Sequence, residues 1–183
     1  METEKKNTSS LVKTDKMTFF LKGELSQWYP SKFSYNGNDF NNTEQWMMFC
    51  KAEIFGDFET ADKILKAETP RQCKELGRSV KNFNQDIWDD LKMGVVYCGN
   101  YHKFNFHKRL REILFSTRGT LLVEANPYDN VWGCGLSVDD PDILDRDKWK
   151  GKNLLGWTLT CLRESLLFKY ENENIFSFKK DGK

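Results

Sequence analysis

No pair of cysteines in this sequence has the spacing of a metal knuckle, and its histidines do not supply one. Cys50, Cys73, Cys98, Cys134 and Cys161 are scattered and odd in number. That is the pattern of reduced thiols in a cytosol-like compartment, not of a disulfide framework. His102 and His107 are five residues apart, so they fall on different parts of a helix, and no cysteine or carboxylate completes a familiar zinc site. The expectation is no bound metal and no cofactor. An apolar leader is also lacking: Met1 opens METEKKNTSSLVKTDK, which is polar and charged and reads as neither signal peptide nor anchor. No apolar stretch approaches the length of a membrane span. Nor does one charge dominate, since 28 Lys and Arg face 27 Asp and Glu. An obligate duplex-DNA binder carries a strongly basic face; here a nucleic acid is at most a locally held substrate. The expected setting is the cytoplasm, or the nucleus of a eukaryotic cell, and the expected state a monomer with no membrane contact.

What the chain does have is aromatic residues, 14% of the total, spread from Phe19 to Phe178. Each buries much apolar area, and some are candidates for stacking on a base. At 183 residues a single domain buries roughly 70% of the surface its unfolded chain exposes, so no staple is needed. Residues 1–16 read as a disordered lead-in, 17–170 as one folded domain and 171–183 as a polar C-terminal tail. Met17 to Leu21 suits a buried strand. Phe33 to Phe40 suits a hairpin, because Asn36-Gly37 favours the positive φ angles of a tight turn. Asn42 or Thr43 caps a helix expected over Glu44 to Phe55; a second follows from Asp57 to Ala67, and a third from Pro70 to Gly77. Helical periodicity returns over Asn84 to Cys98, Lys103 to Ser116 and Gly151 to Phe168. Thr120 to Glu124 is the clearest interior strand. The expected architecture is α+β: a helix-rich single domain with a small β-sheet.

Three segments place polar groups where burial is expected. In Asn42 to Ala52, the residues Glu44, Met47, Met48 and Lys51 share one helical stripe. Glu44 is open to two readings, a first-turn acid favoured by the helix dipole or a catalytic carboxylate. Lys51 is either a snorkelling surface residue or an amine in a site. In Asn126 to Leu136, Asp129 and Trp132 follow a buried strand, and Gly133 and Gly135 permit close backbone approach to a ligand; a plain turn is the alternative. In Trp149 to Gly156, backbone N–H groups at a helix start, with Lys150, Lys152 and Asn153, form a candidate phosphate cradle. It lacks the glycine-to-lysine spacing of a Walker loop.

Taken together these segments resemble the NADAR (YbiA-like) family over Phe19 to about Leu167. The motifs that carry the resemblance run in order. Ser26-Gln27-Trp28-Tyr29-Pro30 comes first, then Thr43-Glu44-Gln45, Met47-Met48 and Lys51-Ala52. Gly77-Arg78, Val80-Lys81-Asn82-Phe83 and Trp88 follow. Leu122 to Ala125, Asp129 to Gly135, Lys150 to Gly156 and Arg163-Glu164 complete the series. Ser26-Gln27 departs from the Ser-Asn of some members. The resemblance implies an N-glycosidase or ADP-ribosyl hydrolase. Family substrates are early riboflavin-pathway ribosylamines or ADP-ribosylated guanine in nucleic acid, the latter opposing a DNA ADP-ribosyltransferase. The Glu-Gln-x-Met-Met and Lys-Ala pattern is closer to the guanine group. Glu44, Trp88 and Asp129, with Trp132 alongside, match the family's functional positions.

Cleaving such a bond requires a protonated leaving amine and a stabilised positive C1 on the ribose, work that paired carboxylates do. Asp129 and Glu44 are the candidates, in either order. An exocyclic ribosylamine can also open to an imine, and Lys51 is the candidate to capture it as a Schiff base. Arg78, Lys150 and Lys152 are candidate partners of the pyrophosphate, and Trp28, Tyr29 and Trp132 candidate stacking platforms. The readings from other classes are a non-catalytic ADP-ribose reader and a purely structural interaction domain.

Overall fold

A computed structural model describes residues 11–176. Among them a three-stranded sheet runs in the order β1 (Val12–Lys13), β2 (Met17–Phe20), β5 (Leu121–Glu124). β1 pairs antiparallel to β2, and β2 pairs parallel to β5 with Phe20 opposite Glu124. The hairpin β3 (Phe33–Tyr35) and β4 (Asn38–Phe40) stands apart. It turns at Asn36 and Gly37 with φ of 48° and 80°, as the Asn-Gly pair requires. Among the described residues the α-helices are α1 (Thr43–Ile54), α2 (Phe58–Leu65), α3 (Pro70–Arg78), α4 (Gln85–Phe106), α5 (Lys108–Phe115) and α6 (Leu154–Phe176). This is the expected helix-rich α+β domain.

Most helix starts follow from their caps. The side chains of Asn42, Asp57 and Asn84 accept from backbone N–H groups of α1, α2 and α4, and Thr69 with Gln72 forms a full capping box before Pro70. Three boundaries differ from expectation. Residues 11–16 are not a disordered lead-in, because Val12 and Lys13 add a strand to the edge of β2; residues 1–10 lie outside the described region. α4 runs unbroken to Phe106 where a gap was expected after Cys98. Gly99 does not stop it, because this glycine lets the Trp46 indole lie against the helix: a Cβ there would sit 2.4 Å from a ring carbon. α6 passes Phe168 and reaches Phe176, so the expected tail from 171 begins as helix; residues 177–183 lie outside the described region.

The main core gathers Phe20, Leu25, Met47, Phe104, Leu122, Leu159 and Leu162 between β5, α1, α4 and α6. Gly156 sets the distance of α6 from the sheet, since a Cβ there would fall 2.2 Å from the carbonyl oxygen of Leu122. Gly156→Ala is expected to cost about 2–3 kcal/mol and to lower Tm by roughly 5–10 °C in thermal unfolding. An unchanged Tm would mean that helix and strand are free to part at this point.

Candidate active site

Glu44 is the second residue of α1, and only 3% of it is exposed. Its backbone N–H donates to the Gln27 carbonyl (3.1 Å), which also takes the Thr43 hydroxyl (3.2 Å). The loop that supplies this carbonyl is fastened from below by Lys103, a fully buried amine that donates to the Ser26 carbonyl at 2.8 Å. Burial pushes that amine down to about 7. Burial likewise pushes the Glu44 carboxyl up to about 7; Lys74 and a hydrogen bond from the Trp28 side chain oppose this, and the Asp129 carboxylate adds to it. Oε1 of Glu44 is buried with no hydrogen-bond partner.

The Glu44 charge reaches Glu124, the last residue of β5 and 9% exposed. Its main chain is held on both sides. The N–H donates to Oδ1 of Asn153 (2.9 Å), and its carbonyl accepts from Asn126 and Cys134 (both 2.9 Å). The side chain is not so held, for Oε2 is buried and unpartnered. Burial pushes this carboxyl up to about 8, the charges of Asp129 and Glu44 push the same way, and Lys74 opposes them. Gln27, 5% exposed, adds a third buried oxygen without a partner, Oε1. Strand, helix start and loop therefore converge on one buried, acidic centre with acceptors to spare.

Asp129 is half-buried, and its Oδ1 accepts the N–H groups of Val131 (3.0 Å) and Trp132 (2.8 Å). Two expectations for this region need correction. The N–H groups at the start of α6 do not form a phosphate cradle. Those of Gly151, Lys152, Asn153, Leu154 and Leu155 donate to the carbonyls of Cys134, Asn130, Gly133, Val131 and Trp132. Asn153, with φ of 52° and no exposure, is a strand clamp and not a ligand donor. Its amide donates to Leu122 (3.0 Å) while its oxygen takes the N–H of Glu124. Likewise the space beside Gly133 and Gly135 is taken by protein and not by a ligand: Gly133 lets its own loop fold back on itself, and Gly135 lets the 150–151 loop approach. A Cβ on Gly133 would lie 2.9 Å from the Asp129 carbonyl oxygen, and one on Gly135 2.8 Å from the Gly151 nitrogen.

Lys51 stands two turns after Glu44 on α1, about 10 Å further along the axis. Its amine donates to the Gly77 carbonyl (2.7 Å) and lies 4.1 Å from the Phe83 ring centre and 5.9 Å from that of Trp88. Burial holds this amine below the ordinary lysine value. The structure thus brings Glu44 and Asp129 together, while the cation acting on the carboxylates is Lys74 and not Lys51. Trp88 is buried under Lys51, and Trp132 is half-buried against the main core. Trp28, 46% exposed, rims Glu44 as a platform would; Tyr29 instead packs on the main core. Arg78 and Lys150 are exposed. Lys152 lines a cavity of about 520 Å³ with Arg146, Trp149 and Trp157, and the Arg146 guanidinium lies 4.8 Å from the Trp157 ring centre. A cavity of similar volume, about 530 Å³, opens between α2 and α3 at Lys66, Gln72 and Leu76; neither cavity is lined by a residue with an unpartnered buried oxygen. Among the described residues no three His, Cys, Asp or Glu side chains group as metal ligands, and no helix is long and apolar enough to cross a membrane.

The order of these elements has known counterparts. A model of the NADAR domain matches residues 16–167. The chain belongs to the NADAR domain family. Among NADAR relatives, an N-glycosidase of Acanthamoeba polyphaga mimivirus is 39% identical over 166 residues, covering 84% of this chain and 98% of that one. A chloroplastic riboflavin biosynthesis protein of Arabidopsis thaliana is 32% identical over 114 residues, or 60% of this chain and 17% of that protein. The NMR structure of the E. coli protein YbiA has the same fold, with a TM-score of 0.71 at 24% identity over 96% of each chain. In this NADAR domain, sequence reasoning missed Glu124, Lys74 and Gln27 as site residues. A strand-end acid looks like an ordinary transition to a loop. Its signals were that Glu124 closes a strand otherwise apolar throughout and lies within the Leu122 to Ala125 motif.

Proposed function

We propose that this NADAR domain, a hydrolase of N-glycosyl bonds, removes ADP-ribose from the exocyclic amine of modified guanine, as a base or within nucleic acid. The observation that carries the reading is the buried pair Glu44 and Glu124, with unpartnered oxygens and Asp129 beside them. Such a pair keeps one proton to give and one negative charge to set against a positive sugar carbon. Lys51, a desolvated amine on the same helix as Glu44, supplies the nucleophile of a covalent route once it releases the Gly77 carbonyl it holds. With the ribosylamine opened to its iminium, the Lys51 nitrogen bonds to C1. The proton that this nitrogen sheds is matched by one delivered from the carboxyl pair to the guanine nitrogen, the C1–guanine bond breaks with its electrons on that nitrogen so that the base leaves as a neutral amine, and water then hydrolyses the lysine imine.

The cavity between Arg146, Lys152 and Trp157 offers two cations and two indoles, groups of the kind that a pyrophosphate and a base take. The partners this implies are ADP-ribosylated guanine and, upstream, a DNA ADP-ribosyltransferase that makes it. The Arabidopsis relative favours a second reading, ribosylamino-pyrimidine phosphates as substrate. Incubating the protein with ADP-ribosyl guanosine and with such a ribosylamine phosphate, in parallel, decides between them. Free ADP-ribose from the former is expected, at a higher kcat/KM. Turnover of the latter alone overturns the substrate, and binding of ADP-ribose without turnover of either overturns the enzyme.

A further inference from the structure

Glu124 has no role in the reading above beyond its membership of the pair, and its surroundings are more specific than that. It ends a buried strand, and Asn153, Asn126 and Cys134 hold its backbone in place. Glu44, Asp129 and Lys74 are the charges that act on it, and the Cys134 thiol lies within its field. The two glutamates differ in what favours their charged forms. Glu44 sits in the first turn of α1, where the helix dipole stabilises an anion, and it receives a hydrogen bond from the Trp28 side chain. Glu124 has neither a helix start nor a donor at Oε2. When one proton is shared between two such groups, it resides where the anion is less supported.

We infer that Glu124 is the proton donor to the departing exocyclic nitrogen, and that Glu44 remains the anion facing the sugar carbon. The inference rests on the N-glycosidase reading and deepens it. The carboxyl O–H bond of Glu124 breaks as a new N–H bond forms. The electron pair of the C1–N bond goes to that nitrogen, the base leaves as a neutral amine, and Glu124 is left as carboxylate. Water that subsequently attacks C1 returns the proton. The requirement is the same whether C1 is held as an oxocarbenium ion or as an adduct of Lys51. The raised value of Glu124, about 8, keeps the proton in place at neutral pH.

The test is the pH dependence of kcat/KM for wild type, Glu124→Gln and Glu44→Gln, with product ADP-ribose affinity measured alongside. Wild type is expected to lose activity as pH rises through about 8. Glu124→Gln is expected to lose about 100-fold or more in kcat, keep KM and ADP-ribose affinity within about threefold, and lack the alkaline limb. Glu44→Gln keeps that limb on its residual rate. Glu124→Asp, which keeps the acid but moves it, regains part of kcat and restores the limb. An alkaline limb unchanged in Glu124→Gln, or a loss of ADP-ribose affinity in step with activity, overturns the assignment. If wild type releases no ADP-ribose from guanosine, the substrate reading has failed, and the same profiles are measured on the ribosylamine phosphate it does cleave.

Discussion

Glu44→Gln is expected to lower kcat/KM by about 1000-fold and, at the same time, to raise Tm at pH 8. The first effect follows from losing the anion that faces the sugar carbon; the amide keeps the shape and still accepts from Trp28. The second follows from the cost of burying that anion. A carboxyl whose folded value, about 7, lies above its unfolded value of 4.5 holds its proton more tightly when folded. Its contribution to stability is therefore full below pH 4.5 and declines as pH rises to 7. At about 1.4 kcal/mol per pKa unit, the shift from 4.5 to about 7 corresponds to at most about 3.5 kcal/mol above pH 7, and coupling to Glu124 lowers the relief to roughly 2–3 kcal/mol. Thermal unfolding of both proteins at pH 4 and pH 8 checks it. The two should coincide at the lower pH, with the variant higher by several degrees at the upper. A variant less stable than wild type at pH 8 would mean that Glu44 is a structural acid. Gain of stability with loss of activity is the pattern of a strained functional site.

Lys51→Met is the second large effect expected, a loss of at least about 1000-fold in kcat, with the fold retained because the methionine still fills the space below Phe83. The chemical counterpart is direct. Borohydride added to wild type during turnover should fix the sugar on one lysine, and peptide mass analysis should locate it at Lys51. Lys51→Met should show no adduct. Lys51→Arg should not restore activity, because a guanidinium is charged at any working pH. Wild type that turns over without forming an adduct would assign C1 to water, with the amine reduced to a helper that holds the end of α3 through Gly77. Burial holds this lysine below its ordinary value, a shift in the direction that a covalent route requires.

Much of the scaffold is legible in the residues themselves, because the signals involved are local. Asn36-Gly37 turns its hairpin whatever surrounds it, and Asn42, Asp57, Thr69 and Asn84 cap the helices they precede. Gly99 is misleading for the opposite reason. Its meaning lies in Trp46, a partner on another helix. The site divides the same way. Glu44 and Asp129 stand out as polar groups beside apolar runs. The pairing of Glu44 with Glu124 depends on β5 lying beside β2 and on α1 starting against the Gln27 loop, and no spacing encodes that. Asn153 looks like a phosphate donor beside Lys150 and Lys152 until its positive φ and its grip on β5 are seen. The glycines at 133 and 135 signal close approach correctly, but the approaching partner is the protein's own loop.

The most direct measurement is a carboxyl carbon NMR titration of protein labelled at glutamate, with Glu44→Gln and Glu124→Gln used to assign the two signals. The expected result is a coupled pair titrating near 7 and 8, with the remaining carboxyl taking up its proton at lower pH once the other is neutral. Two signals that both titrate independently in the ordinary range near 4.5 would contradict it. In that event no proton is stored between strand and helix at working pH, and the cleavage chemistry assigned to this centre has no acid.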